Sequence, residues 1–292
     1  MKFRNTLKRI HCYIYSFVLF FISSTCLATE TKNIEIKAPP SLESIYQQDL
    51  YHYLQGDEVK QILAGDIEFT ALFRDHTAAQ AKGIAILFPD WSLPANNQLG
   101  LDYLRKALND YGWVSYALNV PDQIPLNTAT ALSNETLFHA PTLPILSDTE
   151  LKTYKLLLIS RLKAIYQKAL EHPGFIIIIA QGSTSAMIVE FFADKPEEEI
   201  DAMILLSGYL PDPALNKNLT NTIANVTAPV LDIYHTHDNN WVLSEVSNRK
   251  KANRKAHKLD YRQRELFGNN ASSTQHARLL KEIYGFLTKI GI

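Results

Sequence analysis

Apolar positions in this chain fall into short unbroken runs, separated by segments where they recur every three or four residues. Ile67-Glu-Phe-Thr-Ala-Leu-Phe73 alternates as a half-exposed strand does, and Gly83-Ile-Ala-Ile-Leu-Phe88 is apolar throughout before it stops at Pro89-Asp90-Trp91. Leu101, Leu104, Leu108 and Tyr111 then recur with helical spacing, and Gly112 stands where a helix-ending glycine belongs. Trp113–Val120 predicts the next strand. Ser147-x-x-Glu150 predicts a capped helix start, followed by Leu151, Tyr154, Leu158, Leu162, Ile165 and Ala169 on one helical face. Phe175–Ala180 is a run of large apolar residues that breaks into Gln181-Gly182-Ser183-Thr184-Ser185 and a new helical pattern. Strands at Ala202–Leu206, Pro229–Tyr234 and Leu259–Leu266 follow, with a basic helix from about Trp241 to His257 and a last helix carrying Leu280, Ile283 and Leu287.

Strands alternating with helices, the inner strands apolar on both faces, predict an α/β fold. The expected form is a three-layer α/β/α sandwich around a mainly parallel sheet. Residues 29–60 show little periodicity apart from a short helix around Leu42–Tyr53, and residues 61–292 are expected to form a single domain. Within it, residues 121–146 break the rhythm with four prolines and many Thr, Asn and Ser. That length is unusual for a plain connection, and both a substrate-selecting lid and a surface excursion fit it.

The first residues alter the remaining sums. Lys2, Arg4, Lys8 and Arg9 precede a mostly apolar stretch from Tyr13 to Ile22, and small residues lead to Cys26-Leu27-Ala28. Residues 1–28 therefore read as a secretory signal peptide, with an uncleaved membrane anchor as the alternative, and cleavage predicts a periplasmic or secreted protein with no stable membrane span. Both cysteines, Cys12 and Cys26, would leave with the signal, so the core alone must hold the mature fold. Four basic residues leave too, making the mature chain more acidic than the formal net charge of −1. No nucleic-acid partner is expected of such a chain. A small-molecule or envelope ligand is expected instead, and no cofactor or metal is called for.

The sharp passage from buried strand to helix at Gln181-Gly182-Ser183 is where a nucleophile would be presented in acyl-transfer chemistry, which needs a nucleophile, a histidine to take its proton and a carboxylate to orient that histidine. Gly182 fits the apex best, because glycine adopts the strained backbone of such a turn freely. With Gly182 there the turn survives and the nucleophile is lost; a register shifted by one puts Ser183 at the apex, and a rearranged turn would use Ser185. Asp238, beyond the strand at 229–234, and His276, before the last helix, are the candidate acid and base. Pro89, Asp90 and Trp91 lie where backbone N–H groups could bind an oxyanion. Asp90 would oppose the developing charge if it pointed inward, and otherwise would cap the next turn. Trp241 follows the acid and could wall the crevice. His235-x-His237-Asp238 would place metal ligands on one strand face, given a further ligand such as His139 or His276, though histidines that merely line the crevice explain the spacing better. Arg249, Lys250, Lys251, Arg254, Lys255 and Lys258 spread around their helix as a solvated face does.

These segments resemble the α/β-hydrolase fold. More narrowly, Gly83–Asp90, Gly112–Pro121, the Gln181-Gly182 turn and the stretch from Trp241 to Gln263, with Asp260-Tyr261-Arg262-Gln263, are similar to an exported bacterial family of unknown function with a degenerate nucleophile elbow. The resemblance implies the fold more firmly than an activity. Three functions follow from it and from the residues: a weak or atypical hydrolase of ester or related acyl bonds using Ser183 or water with His276 and Asp238, a catalytically degenerate envelope binding protein, and, more remotely, a metal-dependent hydrolase.

Overall fold

The computed structural model describes residues 40–54, 56–122 and 148–292. The expected signal peptide, the arm before Pro40, most of the 121–146 insertion, Ser147 and His139 lie outside them. Among the described residues no helix is long and apolar enough to cross a membrane.

Eight strands form one sheet: β1 (Val59–Ala64), β2 (Ile67–Arg74), β3 (Gly83–Phe88), β4 (Trp113–Leu118), β5 (Phe175–Gln181), β6 (Ala202–Leu206), β7 (Val230–His235) and β8 (Tyr261–Leu266). Their spatial order is β1-β2-β4-β3-β5-β6-β7-β8. β2 runs antiparallel to both β1 and β4, and every pairing from β4 to β8 is parallel. The helices are α1 (Leu42–Tyr53), α2 (Leu101–Ala107), α3 (Asp148–Leu170), α4 (Gly182–Asp194), α5 (Pro213–Asn225), α6 (Asn240–Lys255) and α7 (Ser273–Ile290).

Alternation along the central strands divides their side chains between two cores. Ile84, Ile86, Ile178 and Met203 face one side, where Leu158 and Leu162 of α3, Ile188 of α4 and Ile223 of α5 cover them. Ala85, Leu87, Ile177 and Ile204 face the other, under Leu104 of α2 and Ile283 and Phe286 of α7. The period-two geometry of strands dictates this split, and strands covered on both faces must be apolar at every position. The described residues therefore form an α/β/α sandwich around a mainly parallel sheet.

Two elements escape the hydrophobic pattern. β1 has only Val59, Ile62 and Ala64 buried, and its mixed sequence is ordered by pairing with β2 from Val59↔Leu72 to Ala64↔Ile67. α5 is rich in Asn and Thr, poor helix formers, but Asp212 caps it by accepting from the Leu215 N–H at 2.8 Å and Pro213 opens its first turn. The basic helix α6 also differs from expectation. Arg249 is fully buried, its guanidinium 3.4 Å from Asp232 on β7 and donating to the Gly208 carbonyl at 2.5 Å. Tyr261 and Gln263 of β8 donate to the other Asp232 oxygen at 2.8 and 3.2 Å. Lys258, just past the helix, donates to the carbonyls of Val226 and Ala228. The surface reading fails at these two residues because a buried carboxylate and free carbonyls at strand ends recruit them.

Candidate functional site

Strands β3, β5, β6 and β7 stop nearly level, with Phe88 opposite Ala180, Ala180 opposite Leu205, and Leu206 opposite Ile233. Ligands in parallel sheets bind beyond such carboxyl ends. A cavity of about 90 Å³ lies there, with Asp90, Gly182, Ser207, Tyr209, His235 and Asp238 among its walls. Leu93, Leu99, Leu206 and Leu279 supply its apolar sides.

Gly182 begins α4 with φ of +53°, in the left-handed region that glycine enters without a Cβ penalty. Gln181, the last residue of β5, holds the turn to the β3–α2 loop: it accepts from Asn97 Nδ2 at 3.0 Å and donates to the Leu99 carbonyl at 2.9 Å. The space above Gly182 is filled by Asp90. A Cβ on residue 182 would lie 2.2 Å from both Cγ and Oδ2 of the Asp90 carboxyl group, well inside van der Waals contact. Asp90 Oδ1 accepts the Ser183 N–H at 2.8 Å and the Trp91 N–H at 2.9 Å, and the Tyr209 hydroxyl approaches Oδ2 at 3.4 Å.

This contact ties the two ends of the sequence motif together. The first turn of a helix leaves N–H groups unpaired and carries a partial positive charge, and Gln181 offers no side-chain cap. Asp90 therefore caps α4 from the loop that follows β3. The next-turn capping expected of it is replaced by a bond to its neighbour Trp91 and this longer-range one to Ser183. Burial raises the Asp90 pKa above its ordinary value of 3.8, while the N–H groups of Trp91, Ser183 and Thr184 and the Tyr209 hydroxyl pull in the opposite direction.

Ser183 and Ser185 are both fully buried. The Ser185 hydroxyl donates to the Gly182 carbonyl at 2.6 Å, which braces the turn. Neither serine is among the residues that line the cavity. Pro89 is buried behind Asp90, and Trp91 turns toward α3, its ring edge-on to Tyr154 with centroids 6.2 Å apart. α1 steadies that loop: Tyr46 donates to the Ser92 carbonyl at 3.0 Å. Trp241 does not reach the cavity; its carbonyl accepts from Asn216 of α5 at 2.7 Å.

Asp238 lines the cavity, but its partners differ from those expected. Its carboxylate accepts from the Ser207 hydroxyl in a short bond, from the His235 N–H at 3.1 Å and from the Asn239 N–H at 2.9 Å. Burial works to raise its pKa, but the His235 ring, the Ser207 hydroxyl and these two N–H groups outweigh it and hold the carboxyl below 3.8. His276 is elsewhere. Its ring stacks obliquely near Tyr103, with centroids 5.8 Å apart, and its Nε2 lies 3.3 Å from the Asn270 carbonyl. It lines a separate groove with Tyr103, Asp102 and Lys106. No hydrogen bond joins His276 to Asp238 among the described residues, because His276 enters α7 on the side facing α2.

His235 and His237 also part company. β7 ends at His235, so the alternation that would align them stops there. His235 is buried in the cavity wall, while His237 is exposed beside Phe267. Among the described residues, no group of three or more His, Cys, Asp or Glu side chains converges as a metal site would require.

Ser207 and Tyr209 went unnoticed in the sequence. Ser207 has φ of +54° without being glycine, a strained conformation that the surrounding contacts enforce. Its N–H donates to the Ile233 carbonyl at 2.8 Å and its hydroxyl to Asp238, while Arg249 holds the next carbonyl. The available signal was the Ser207-Gly208 pair closing an apolar strand.

Comparison with known proteins bears out the α/β-hydrolase fold. The chain's fold is shared with dienelactone hydrolase from Anabaena variabilis, with a TM-score of 0.54 at 12% identity over 79% of this chain and 96% of that one. Est1E from Butyrivibrio proteoclasticus gives 0.56 at 10% identity over 80% and 98%. A thermophilic esterase from Thermogutta terrifontis, Est2, gives 0.55 at 13% identity over 80% and 92%. None of the curated proteins matches the chain in sequence. Residues 23–289 match the family described as "Protein of unknown function (DUF3530)", and the chain belongs to that family.

Proposed function

We propose that this DUF3530 protein uses the α/β-hydrolase crevice for binding, with its serine-hydrolase chemistry switched off by Asp90. The observation that carries the reading is the Asp90 carboxyl group in the space of a nucleophile side chain, bonded to the Ser183 N–H. In hydrolases of this fold, the N–H of the residue after the nucleophile must receive the oxyanion that develops on the substrate. Losing one such donor costs about 10²–10³ in rate. An ionised carboxylate in its place also repels the developing charge, by roughly 4 kcal/mol for unit charges 4 Å apart at an effective dielectric of 20. The buried serines and the separation of His276 from Asp238 point the same way.

The basic and apolar residues of segment 1–28 support export, and the ligand is then one met in the periplasm or outside the cell. The competing reading, a weak hydrolase of ester or acyl bonds, makes the opposite prediction in one experiment. Purified protein is treated with a fluorophosphonate probe and its intact mass recorded, alongside turnover of p-nitrophenyl acetate and butyrate. The binding reading expects no adduct and no turnover above the uncatalysed rate. A stoichiometric adduct on Ser183, Ser185 or Ser207 would establish a serine hydrolase and overturn it.

A further inference from the structure

The walls of the crevice are unbalanced in charge and in hydrogen-bonding capacity. Two carboxyl groups, Asp90 and Asp238, line one cavity of about 90 Å³, and among the described residues no lysine or arginine lines it. The donors that reach them are neutral and already committed: the N–H groups of Trp91 and Ser183 and, at 3.4 Å, the Tyr209 hydroxyl to Asp90, and the Ser207 hydroxyl with the N–H groups of His235 and Asn239 to Asp238. Buried charge of this kind is ordinarily paired.

A second, independent feature lies in the same wall. The His235 side chain is only 6% exposed, and its Nδ1 makes no hydrogen bond. It lies 3.8 Å from Asp238 Oδ2, beyond hydrogen-bonding reach. A buried polar atom without a partner needs an explanation, and a bound group is one. A group that donates hydrogen bonds, carries positive charge and fits between leucine side chains would meet both features, with His235 Nδ1 accepting in the tautomer that holds its proton on Nε2. Phosphate, sulfate and carboxylate ligands fail on charge.

We infer that the crevice binds a primary ammonium group on a short unbranched alkyl chain, seated between Asp90, Asp238 and His235. An ammonium has three N–H donors and no acceptor, matching a site that offers acceptors and has its donors occupied. The cavity is small and partly open to solvent, so an ammonium can sit between the acids with its alkyl chain running outward. Leu93, Leu99, Leu206 and Leu279 flank those methylenes. The inference rests on the binding reading above and gives its ligand a chemical class.

Isothermal titration of the wild-type protein tests it without any variant. n-Butylammonium is compared with n-butanol, tetramethylammonium and butyrate; 1,4-diaminobutane and Nα-acetyl-lysine amide then separate a free diamine from a lysyl side chain as the natural source. Binding of n-butylammonium at least tenfold tighter than that of any of the three controls is expected. Asp90→Asn and Asp238→Asn, each confirmed as folded by circular dichroism, should each weaken it tenfold or more. Equal binding of n-butanol, or none of any amine up to solubility, would overturn the ammonium assignment. Such a failure is distinct from failure of the binding reading itself, which only covalent labelling of a serine would produce.

Discussion

Placing a methyl group at the turn tests whether Asp90 and residue 182 compete for one space. In Gly182→Ala the new Cβ starts 2.2 Å from Asp90 Cγ and Oδ2 and 2.6 Å from Oδ1, so the carboxyl group must leave. Its departure breaks the bond from the Ser183 N–H, which for a charged acceptor is worth about 1.5–3 kcal/mol. The φ of +53° adds about 1–2 kcal/mol for a residue bearing a Cβ. The substitution should therefore destabilise by roughly 3–5 kcal/mol, lowering the melting temperature by roughly 10 °C in a domain of this size. Asp90→Ala alone removes the cap of α4 and should cost about 1–2 kcal/mol. The informative quantity is the coupling. In the double variant the clash no longer exists and the cap is lost only once, so the combined cost should fall short of the sum by about 2 kcal/mol or more. Chemical denaturation of the four proteins completes the cycle. Additivity within about 0.5 kcal/mol would refute the shared-space argument, because independent sites add in that way.

The two crevice acids should respond to pH in opposite senses. Asp90 has a raised folded-state pKa, so its contribution to stability is full below 3.8 and is lost as pH rises through the folded value. Relative to wild type, Asp90→Asn should gain melting temperature from pH 4 upward, and a constant offset would contradict this. Asp238 has a lowered pKa, so its contribution is present above 3.8 and is lost as pH falls through the folded value. Asp238→Asn should be destabilised at pH 7, the deficit shrinking on acidification below 3.8; a deficit that persists unchanged in acid would count against the hydrogen bonds assigned to it. For the buried pair on β7 and α6, Arg249→Ala should cost about 3–5 kcal/mol by leaving Asp232 buried without its cation. Urea denaturation measures it, and a loss below about 1 kcal/mol would show that Tyr261 and Gln263 suffice.

Much of the architecture is written in local patterns. Unbroken apolar runs at 83–88, 175–180 and 202–206 announce strands covered on both faces, and Gly112 and Gly182 mark the ends and turns that need a missing Cβ. What sequence reading missed depends on distant partners. β1 is a strand because β2 lies beside it, and Arg249 is buried because Asp232 awaits it. The same holds at the site. Asp90 and Ser183 are 93 positions apart, and no local rule says whether a loop carboxylate turns outward or over a helix start. Asp238 and His276 stand in the order that catalysis needs, but order along a chain does not set the side of a helix from which a side chain emerges. Ser207 is held by Ile233 and Asp238, and Gly208 beside it by Arg249, none visible in its own neighbours.

The central claim is that the Asp90 carboxyl group holds the N–H that a hydrolase would keep for its oxyanion. Nuclear magnetic resonance reads both ends of that bond, following the Asp90 side-chain carboxyl carbon and the Ser183 amide in one sample from pH 3 to pH 9. The account predicts that the two signals titrate together, with a midpoint above 3.8, and that the Ser183 transition vanishes in Asp90→Asn. A Ser183 amide indifferent to the ionisation of Asp90, or an Asp90 midpoint at or below 3.8, would contradict it.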